Sequence, residues 1–171
     1  MHKINRVNIY ALIMIATFLD VALTGRIEVF GARPDLAIIL VIFFGLFDGA
    51  GRGMESGLVA GLLKDIFALD YFGINALILG LVGLISGLAG SKISRESRST
   101  QFISVLSFSA LSMLIHFLAV NLKSGSFAGF GLFRYLTGSI LPVSAYTAIV
   151  SIPIFAKLIG AYGLKELEGL L

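Results

Sequence analysis

Apolar runs long enough to cross a lipid bilayer follow one another along this chain, separated by short polar stretches. The chain has 171 residues, of which 57% are hydrophobic and 13% charged, whereas roughly a quarter of the residues in a soluble domain are charged. In lipid every backbone N–H and C=O must pair within the protein, and a helix achieves this within one segment. At roughly 20 residues per span, the sequence predicts an all-α membrane protein, a polytopic bundle of about six transmembrane helices that forms a single integral membrane domain over residues 1–171.

Six apolar segments are predicted to form these helices. The first is interpreted as a retained span, because its apolar run is long, contains Asp20 and lacks an A-x-A cleavage pattern. The second is predicted to begin near Pro34, a residue suited to a first helical turn. The others are predicted at about 54–69, 74–90, 101–122 and 133–159.

Lysine and arginine predict the orientation of the bundle, because cytoplasmic loops carry an excess of both residues. We place the N-terminus in the cytoplasm, and six spans then return the C-terminus to the same side. The cytoplasmic set is Lys3, Arg6, Arg52, Lys92, Arg95, Arg98, Lys157 and Lys165. The opposite side holds Arg26, Arg33, Lys123 and Arg134, and Lys64 lies within a span.

Glycine recurs at every fourth position from Gly45 to Gly61. Four residues turn a helix by about 400°, so a face built on this spacing drifts by about 40° at each step. We therefore predict that the run divides. Residues 48–53 are expected to form a tight cytoplasmic turn in which glycines supply positive φ, and the later glycines are expected to lie in the third helix.

Small residues on the third and fourth helices predict a face that another helix can approach closely. Two interpretations are open: packing inside the bundle, which is the common role of such residues in membrane helices, or contact with an external partner. On the second interpretation the partner-binding residues also include the charges of the turn. That set is Gly57, Gly61, Gly83, Gly87, Asp48, Arg52 and Glu55.

Ionisable residues inside apolar helices usually face the bundle interior, because a charge that faces lipid is expensive. Asp20, Lys64, Asp65 and His116 fall at comparable depth in the outer half of the predicted bundle. We expect Asp65 to point inward and either pair with a cation or accept backbone hydrogen bonds. The four residues are interpreted as a structural polar cluster that fixes helix register, and a small-solute site and a proton or ion relay remain open.

The sequence contains no motif that predicts catalysis. It has no cysteine, and its two histidines, His2 and His116, are far apart, so neither pattern predicts a metal site. No G-x-S-x-G elbow or phosphate-binding loop is present. An aspartyl pair of Asp20 and Asp65 stays open only if the two carboxylates lie within hydrogen-bonding reach. We predict no enzyme activity, no cofactor, no metal and no nucleic-acid partner.

Two stretches resemble the MreD family of bacterial rod shape-determining membrane proteins. The first, "ARPDLAIILVIFFGLF", contains the Arg-Pro-Asn/Asp pattern of that family. The second, "ESGLVAGLLKDIFALDYFGINALILGLVGLISG", has its Gly-x3-Gly-x3-Asp pattern, with a Leu-Gly or similar pair eight residues later, here Phe72 and Gly73. The resemblance covers about residues 30–90, and Lys64 stands where an apolar residue is expected. The motif residues are Arg33, Pro34, Asp35, Gly57, Gly61, Asp65, Phe72 and Gly73.

The resemblance implies a non-enzymatic scaffold of the cell-elongation complex, which determines rod shape and builds peptidoglycan, in the bacterial cytoplasmic (inner) membrane. The implied partners are an MreC-like single-span protein and other members of the complex: MreB, RodA and the transpeptidase partner of RodA. The family is also similar in architecture to the substrate-binding membrane subunits of energy-coupling-factor transporters. That likeness supplies an alternative function, the binding of a small, vitamin-like solute for uptake.

Overall fold

The computed structural model describes residues 6–22, 32–67, 72–93, 95, 97–124 and 134–162. These residues form six α-helices and one π-helical turn, so the predicted all-helical architecture is confirmed for them. The helices are α1 (Arg6–Ala22), α2 (Leu36–Asp48), α3 (Ala50–Phe67), α4 (Ile74–Gly90), α5 (Arg98–Ser124) and α6 (Leu141–Ala161), and the π-helical turn Leu136–Ile140 leads directly into α6.

The helices differ twofold in length. Within the described residues, two stretches are long and apolar enough to cross a membrane. One is Arg98–Leu122, of 25 residues, and the other is Leu136–Ala161, of 26 residues, which consists of the π-helical turn and α6. The apolar helices α2 and α4 have only 13 and 17 residues. At 1.5 Å per residue, α2 is about 20 Å long and α5 about 40 Å. Six membrane spans therefore stay a prediction.

Helix α2 is the centre of the bundle. It packs against each of the other five helices, and its residues from Ala37 to Leu46 are all buried. A helix that is apolar on every side belongs in a core rather than at a surface. Phe43 anchors this core, because its ring lies 5.6 Å from that of Phe44 and 5.2 Å from that of Phe155 on α6, both edge-on.

A single glycine joins α2 to α3. Gly49 has φ +93°, a backbone conformation that glycine adopts without a steric penalty, and its N–H donates to the carbonyl of Gly45 over 3.0 Å. The predicted turn over residues 48–53 is therefore wrong, since α3 already begins at Ala50. One positive-φ residue reverses the chain, and Gly51 and Gly53 can then adopt helical geometry.

Helices α3 and α4 touch backbone to backbone. A Cβ atom added to Gly57 would lie 2.0 Å from the carbonyl oxygen of Leu79, and one added to Gly61 would lie 2.3 Å from the Cα of Ala76. Gly53, Gly57 and Gly61 all face α4, since two steps of about 40° stay within a helix stripe about 100° wide. Within α3, the four-residue spacing therefore does form one face.

Candidate functional site

The ends of α1 and α3 and the beginnings of α2 and α4 meet at one side of the bundle. Four charged residues lie there: Asp20 near the end of α1, Asp35 just before α2, and Lys64 and Asp65 near the end of α3. We call these four residues the carboxylate layer. Asp20, Lys64 and Asp65 were predicted to lie at comparable depth. In the structure they lie at neighbouring helix ends.

Asp65 caps the N-terminus of α4. Its Oδ2 accepts the backbone N–H groups of Gly73 and Ala76, both at 3.0 Å, and its Oδ1 accepts the backbone and side-chain N–H groups of Asn75 at 3.1 and 2.9 Å. Helix N-termini carry N–H groups without helical partners, and a buried carboxylate satisfies several of them at once. Asp65 is only 2% exposed. The expectation that it points inward is confirmed, and of the two expected kinds of partner, a cation or backbone N–H groups, it has the second.

Two carboxylates share the N-terminus of α2. Asp20 accepts the N–H groups of Leu36 and Ala37 at 2.9 and 3.1 Å, and Asp35 accepts that of Ile38 at 3.0 Å. Asp35 is therefore the N-cap residue, so α2 begins at Leu36 and Pro34 precedes the cap rather than starting the helix. This role of Asp35 was not predicted, although an aspartate directly before an apolar run is a helix-start signal.

Lys64 joins three helices through the carboxylate layer. Its Nζ lies 2.5 Å from Oδ2 of Asp35 and 3.9 Å from Oδ2 of Asp20, while its side chain is 22% exposed. Adjacent residues on a helix point about 100° apart. This is why Lys64 faces α1 and α2 whereas Asp65 faces α4.

A polar cleft of about 100 Å³ lies beside the carboxylate layer. Residues from α3, α4 and α5 and the N-cap of α2 line it, namely Asp35, Lys64, Asn75, Ile78, Leu79, Ser112, Met113 and His116. His116 reaches this cleft from α5, and it makes no hydrogen bond to any other residue that the structure describes. Small-molecule sites usually have volumes of about 300–1,000 Å³, so this cleft is small for a vitamin-sized solute.

The chemistry of the layer is that of helix capping. Asp20 binds the N-terminus of α2 and Asp65 that of α4, so the two candidate aspartates serve different helices. Within the described ranges, no group of three or more His, Cys, Asp or Glu side chains could hold a metal ion. The arrangement satisfies buried backbone N–H groups and neutralises buried charge.

The opposite end of the bundle holds the charged residues predicted to contact a partner. Arg52 Nη1 lies 2.8 Å from Oδ2 of Asp48 one helical turn away, and both side chains are largely buried. The Tyr10 hydroxyl donates to Oε1 of Glu55 and thereby ties α1 to α3. These charges are engaged within the chain, yet Arg52 and Glu55 remain partly exposed.

The predicted glycine surface lies inside the molecule. Gly57 and Gly61 are buried against α4, while Gly83 and Gly87 are buried against Gly53 and Ala50 of α3. The packing interpretation therefore describes these four glycines, and their assignment to an exposed partner-binding face is corrected. The physical reason is that the small residues of α3 and those of α4 pack against each other, which leaves neither face open to a partner.

A family model described as rod shape-determining protein MreD matches residues 1–161. The chain belongs to the MreD family. Comparisons with curated proteins and with solved structures give no significant match. The match extends through α5 and α6, well beyond residues 30–90, where the sequence resemblance was recognised.

The MreD-like motif residues have identifiable structural tasks. Arg33, Pro34 and Asp35 lead into the capped start of α2, and Gly73 turns the chain into α4 with φ +98° while donating its N–H to Asp65. Gly57 and Gly61 allow the α3–α4 contact. In this rod shape-determining membrane protein, the motif specifies helix ends and one close helix contact.

Proposed function

We propose that this MreD protein is a non-enzymatic scaffold of the bacterial cell-elongation complex, which builds peptidoglycan. Family membership supports a role in rod-shape determination at a membrane. The observation that carries the scaffold role is the use of three buried or partly buried carboxylates. Asp20, Asp35 and Asp65 are all committed to helix N-termini, which favours a rigid bundle whose task is to hold other proteins.

The proposed principal partner is an MreC-like single-span protein, with MreB, RodA and its transpeptidase partner as further members of the assembly. Because the α3–α4 glycines are occupied by one another, partner contact is assigned to surfaces that stay accessible. Of the residues predicted for this role, Asp48, Arg52 and Glu55 are partly exposed near the Gly49 turn. Because Asp48 is paired with Arg52 within the chain, we assign the contact to Arg52 and Glu55. They offer a cation and an anion to a partner segment at this end of the bundle.

The proposed location is the cytoplasmic (inner) membrane, crossed several times, with both termini and the Gly49 turn on the cytoplasmic side. The distribution of lysine and arginine supports this orientation. The carboxylate layer would then lie in the outer half of the membrane. Its charges are paired or hydrogen-bonded, as buried charges in lipid require.

Copurification from native membranes tests the scaffold role. The full chain, carrying an affinity tag, is expected to capture an MreC-like single-span protein. The double variant Arg52→Gln/Glu55→Gln is expected to reduce the captured amount about tenfold, which corresponds to about 1.4 kcal/mol of binding free energy. A matched control, Lys92→Gln/Arg98→Gln, changes two exposed charges, one just after α4 and one at the first residue of α5, and is expected to leave capture unchanged.

Two results would separate the parts of this proposal. If the parent protein captures no elongation-complex member under conditions that preserve its fold, the scaffold role fails. If the parent captures the partner and both double variants capture it equally, the Arg52–Glu55 surface fails while the scaffold role stands. Circular dichroism of each purified protein establishes that the variants retain their helices.

The polar cleft supports the alternative function, uptake of a small solute. Asn75, Ser112 and His116 offer hydrogen-bonding groups beside Lys64. The volume of about 100 Å³ favours a solute smaller than a vitamin, and the likeness to energy-coupling-factor subunits stays a prediction. A vitamin panel tested by thermal unfolding in detergent distinguishes the functions: a stabilising shift that His116→Ala abolishes would favour uptake over the scaffold.

A further inference from the structure

An apolar notch lies between α1 and α6, at the level where α2 begins. We propose that this notch binds one phospholipid, with an acyl chain between the two helices and the lipid phosphate on Arg33. The proposal is independent of the scaffold role. It rests on the shape of the notch, on its depth in the bundle and on the charges around it.

The notch is a gap in the ring of helices around α2. Helices α1 and α6 both pack on α2, but their described residues do not pack on each other. The resulting space has a volume of about 140 Å³. Most of the surface that lines it is apolar, although two of the lining residues are charged. The lining residues are Leu19, Asp20, Arg33, Pro34, Leu36, Tyr146 and Val150.

The depth of the notch follows from one contact. The backbone N–H of Asp35 donates to Oγ1 of Thr147 over 3.2 Å, so α2 begins beside the middle of the long C-terminal helical stretch. Arg134, at the beginning of that stretch, lies 13 residues earlier, or about 20 Å farther along it. The start of α2 therefore lies well inside the length of the C-terminal stretch. A bilayer adapts to a short hydrophobic length by thinning, which brings lipid headgroups towards the short side.

Arg33 stands at this short side, just before the N-cap of α2, and its side chain is exposed. The negative charges of the nearby Asp20 and Asp35 are balanced by other groups. The ammonium group of Lys64 lies between the two carboxylates, and both carboxylates accept N–H groups from the positive end of α2. A guanidinium has five N–H donors in a fork that matches phosphate oxygens, so it can take a phosphate beside its other contacts. Charge complementarity therefore favours an anionic headgroup at this position.

The size of the notch favours a lipid chain over a partner helix. Along α6 its lining runs from Tyr146 to Val150, which is about one helical turn, or about 6 Å. A transmembrane partner helix needs a contact face several turns long. One flexible chain that enters beside Leu19 and Tyr146 matches the notch, and the tyrosine ring suits the boundary between apolar and polar regions.

Native mass spectrometry of the full chain tests this proposal with phosphatidylglycerol as the probe. The parent protein, purified in detergent and titrated with this lipid, is expected to retain one tightly bound molecule. Arg33→Gln is expected to lower the bound fraction about tenfold. Arg134→Gln is the matched control, because Arg134 is also an exposed arginine near a helix start but does not line the notch.

A second pair of variants tests the chain-binding part. Val150→Trp fills the notch and is expected to abolish retention, whereas Ile149→Trp alters the exposed neighbouring position and is expected to retain the lipid. Thermal unfolding without added lipid establishes that both variants fold. Equal retention by Arg33→Gln and Arg134→Gln, or by the two tryptophan variants, overturns the proposal. So does displacement of the lipid by a copurified protein segment that crosslinks to Tyr146.

Discussion

Two helix pairs of this protein, α3–α4 and α5–α6, are held together by different means. Gly53, Gly57 and Gly61 bring α3 into backbone contact with α4, where a Cβ would have no room. Helices α5 and α6 also pack on each other, but in the most apolar 18 residues of Arg98–Leu122 and of Leu136–Ala161 only 22% and 33% of the residues are buried. Because lipid supplies no hydrophobic drive between helices, close approach and polar contacts must hold a membrane bundle together. The part formed by α1–α4 has more close helix contacts and more polar contacts between helices than the part formed by α5 and α6.

The two parts also differ in how they satisfy helix ends and bends. In α1–α4, carboxylates from neighbouring segments cap the N-termini of α2 and α4. In α6 the solution is local: the π-helical turn Leu136–Ile140 precedes Pro142, and the hydroxyl of Ser144 donates to the carbonyl of Ile140 over 2.6 Å. Long-range caps couple helices to one another, whereas local ones do not. We therefore expect substitutions in α1–α4 to have the larger effects on stability.

The largest effect is expected for Gly57→Leu. Its Cβ would lie 2.0 Å from the Leu79 carbonyl oxygen, so α3 and α4 would have to separate. We expect more than about 3 kcal/mol of destabilisation, at or beyond the upper end of ordinary overpacking, and little folded protein. The loss in free energy of unfolding is measured by unfolding the variant and the parent in detergent micelles. Gly51→Leu is the matched control, since that glycine of α3 has open space around it; equal stability of the two variants would contradict the backbone contact.

Asp65→Leu is expected to destabilise the protein by about 3–5 kcal/mol. It strands the N–H groups of Gly73, Asn75 and Ala76 in a buried site, and each unsatisfied group costs about 1–3 kcal/mol. Asp65→Asn keeps one acceptor oxygen and is expected to lie between Leu and the parent. Asp48→Leu is the control and should cost less than Asp65→Leu, because Asp48 makes a single i,i+4 ion pair. A parent-like midpoint of thermal unfolding for Asp65→Leu would show that the cap is dispensable.

Lys64→Met is expected to cost about 2–4 kcal/mol, because it leaves Asp35 and Asp20 without their shared ammonium group. Adding Asp35→Asn should recover part of this loss, since asparagine keeps the N-cap and removes one stranded charge. A double-mutant cycle on the free energy of unfolding measures the coupling. Strictly additive effects of the two substitutions would mean that the ion pair does not link α2 to α3.

The smallest effect is expected for Gly160→Ala, and the same substitution at Gly53 provides the comparison between the two regions. Gly160→Ala on α6 meets open space and should stabilise the protein by about 0.5 kcal/mol, because alanine favours helix over glycine. Gly53→Ala should instead destabilise it, since the new Cβ would lie 2.2 Å from the Gly83 carbonyl oxygen. Comparison of the two unfolding midpoints gives the sign of each change. The same sign for both would remove the distinction between the helix pairs.

Much of the helical order was predictable from local signals. The long apolar runs and the polar breaks between them located the six described helices. Asp65 was expected to point inward and either pair with a cation or accept backbone hydrogen bonds. The start of α3 was misplaced because several glycines in succession suggested a flexible turn. Only Gly49 needs positive φ there, and sequence alone does not distinguish it from the helical Gly51 and Gly53.

The sequence by itself determined that the chain lies in lipid and that it is helical, because apolar runs in lipid must form helices to satisfy their backbone groups. It also determined which residues would be costly in that solvent, among them Asp20, Lys64 and Asp65. Only the tertiary structure decided what each of them contacts. Whether a glycine face meets an external partner or the next helix depends on how helices are arranged in space, and here α4 fills the face of α3.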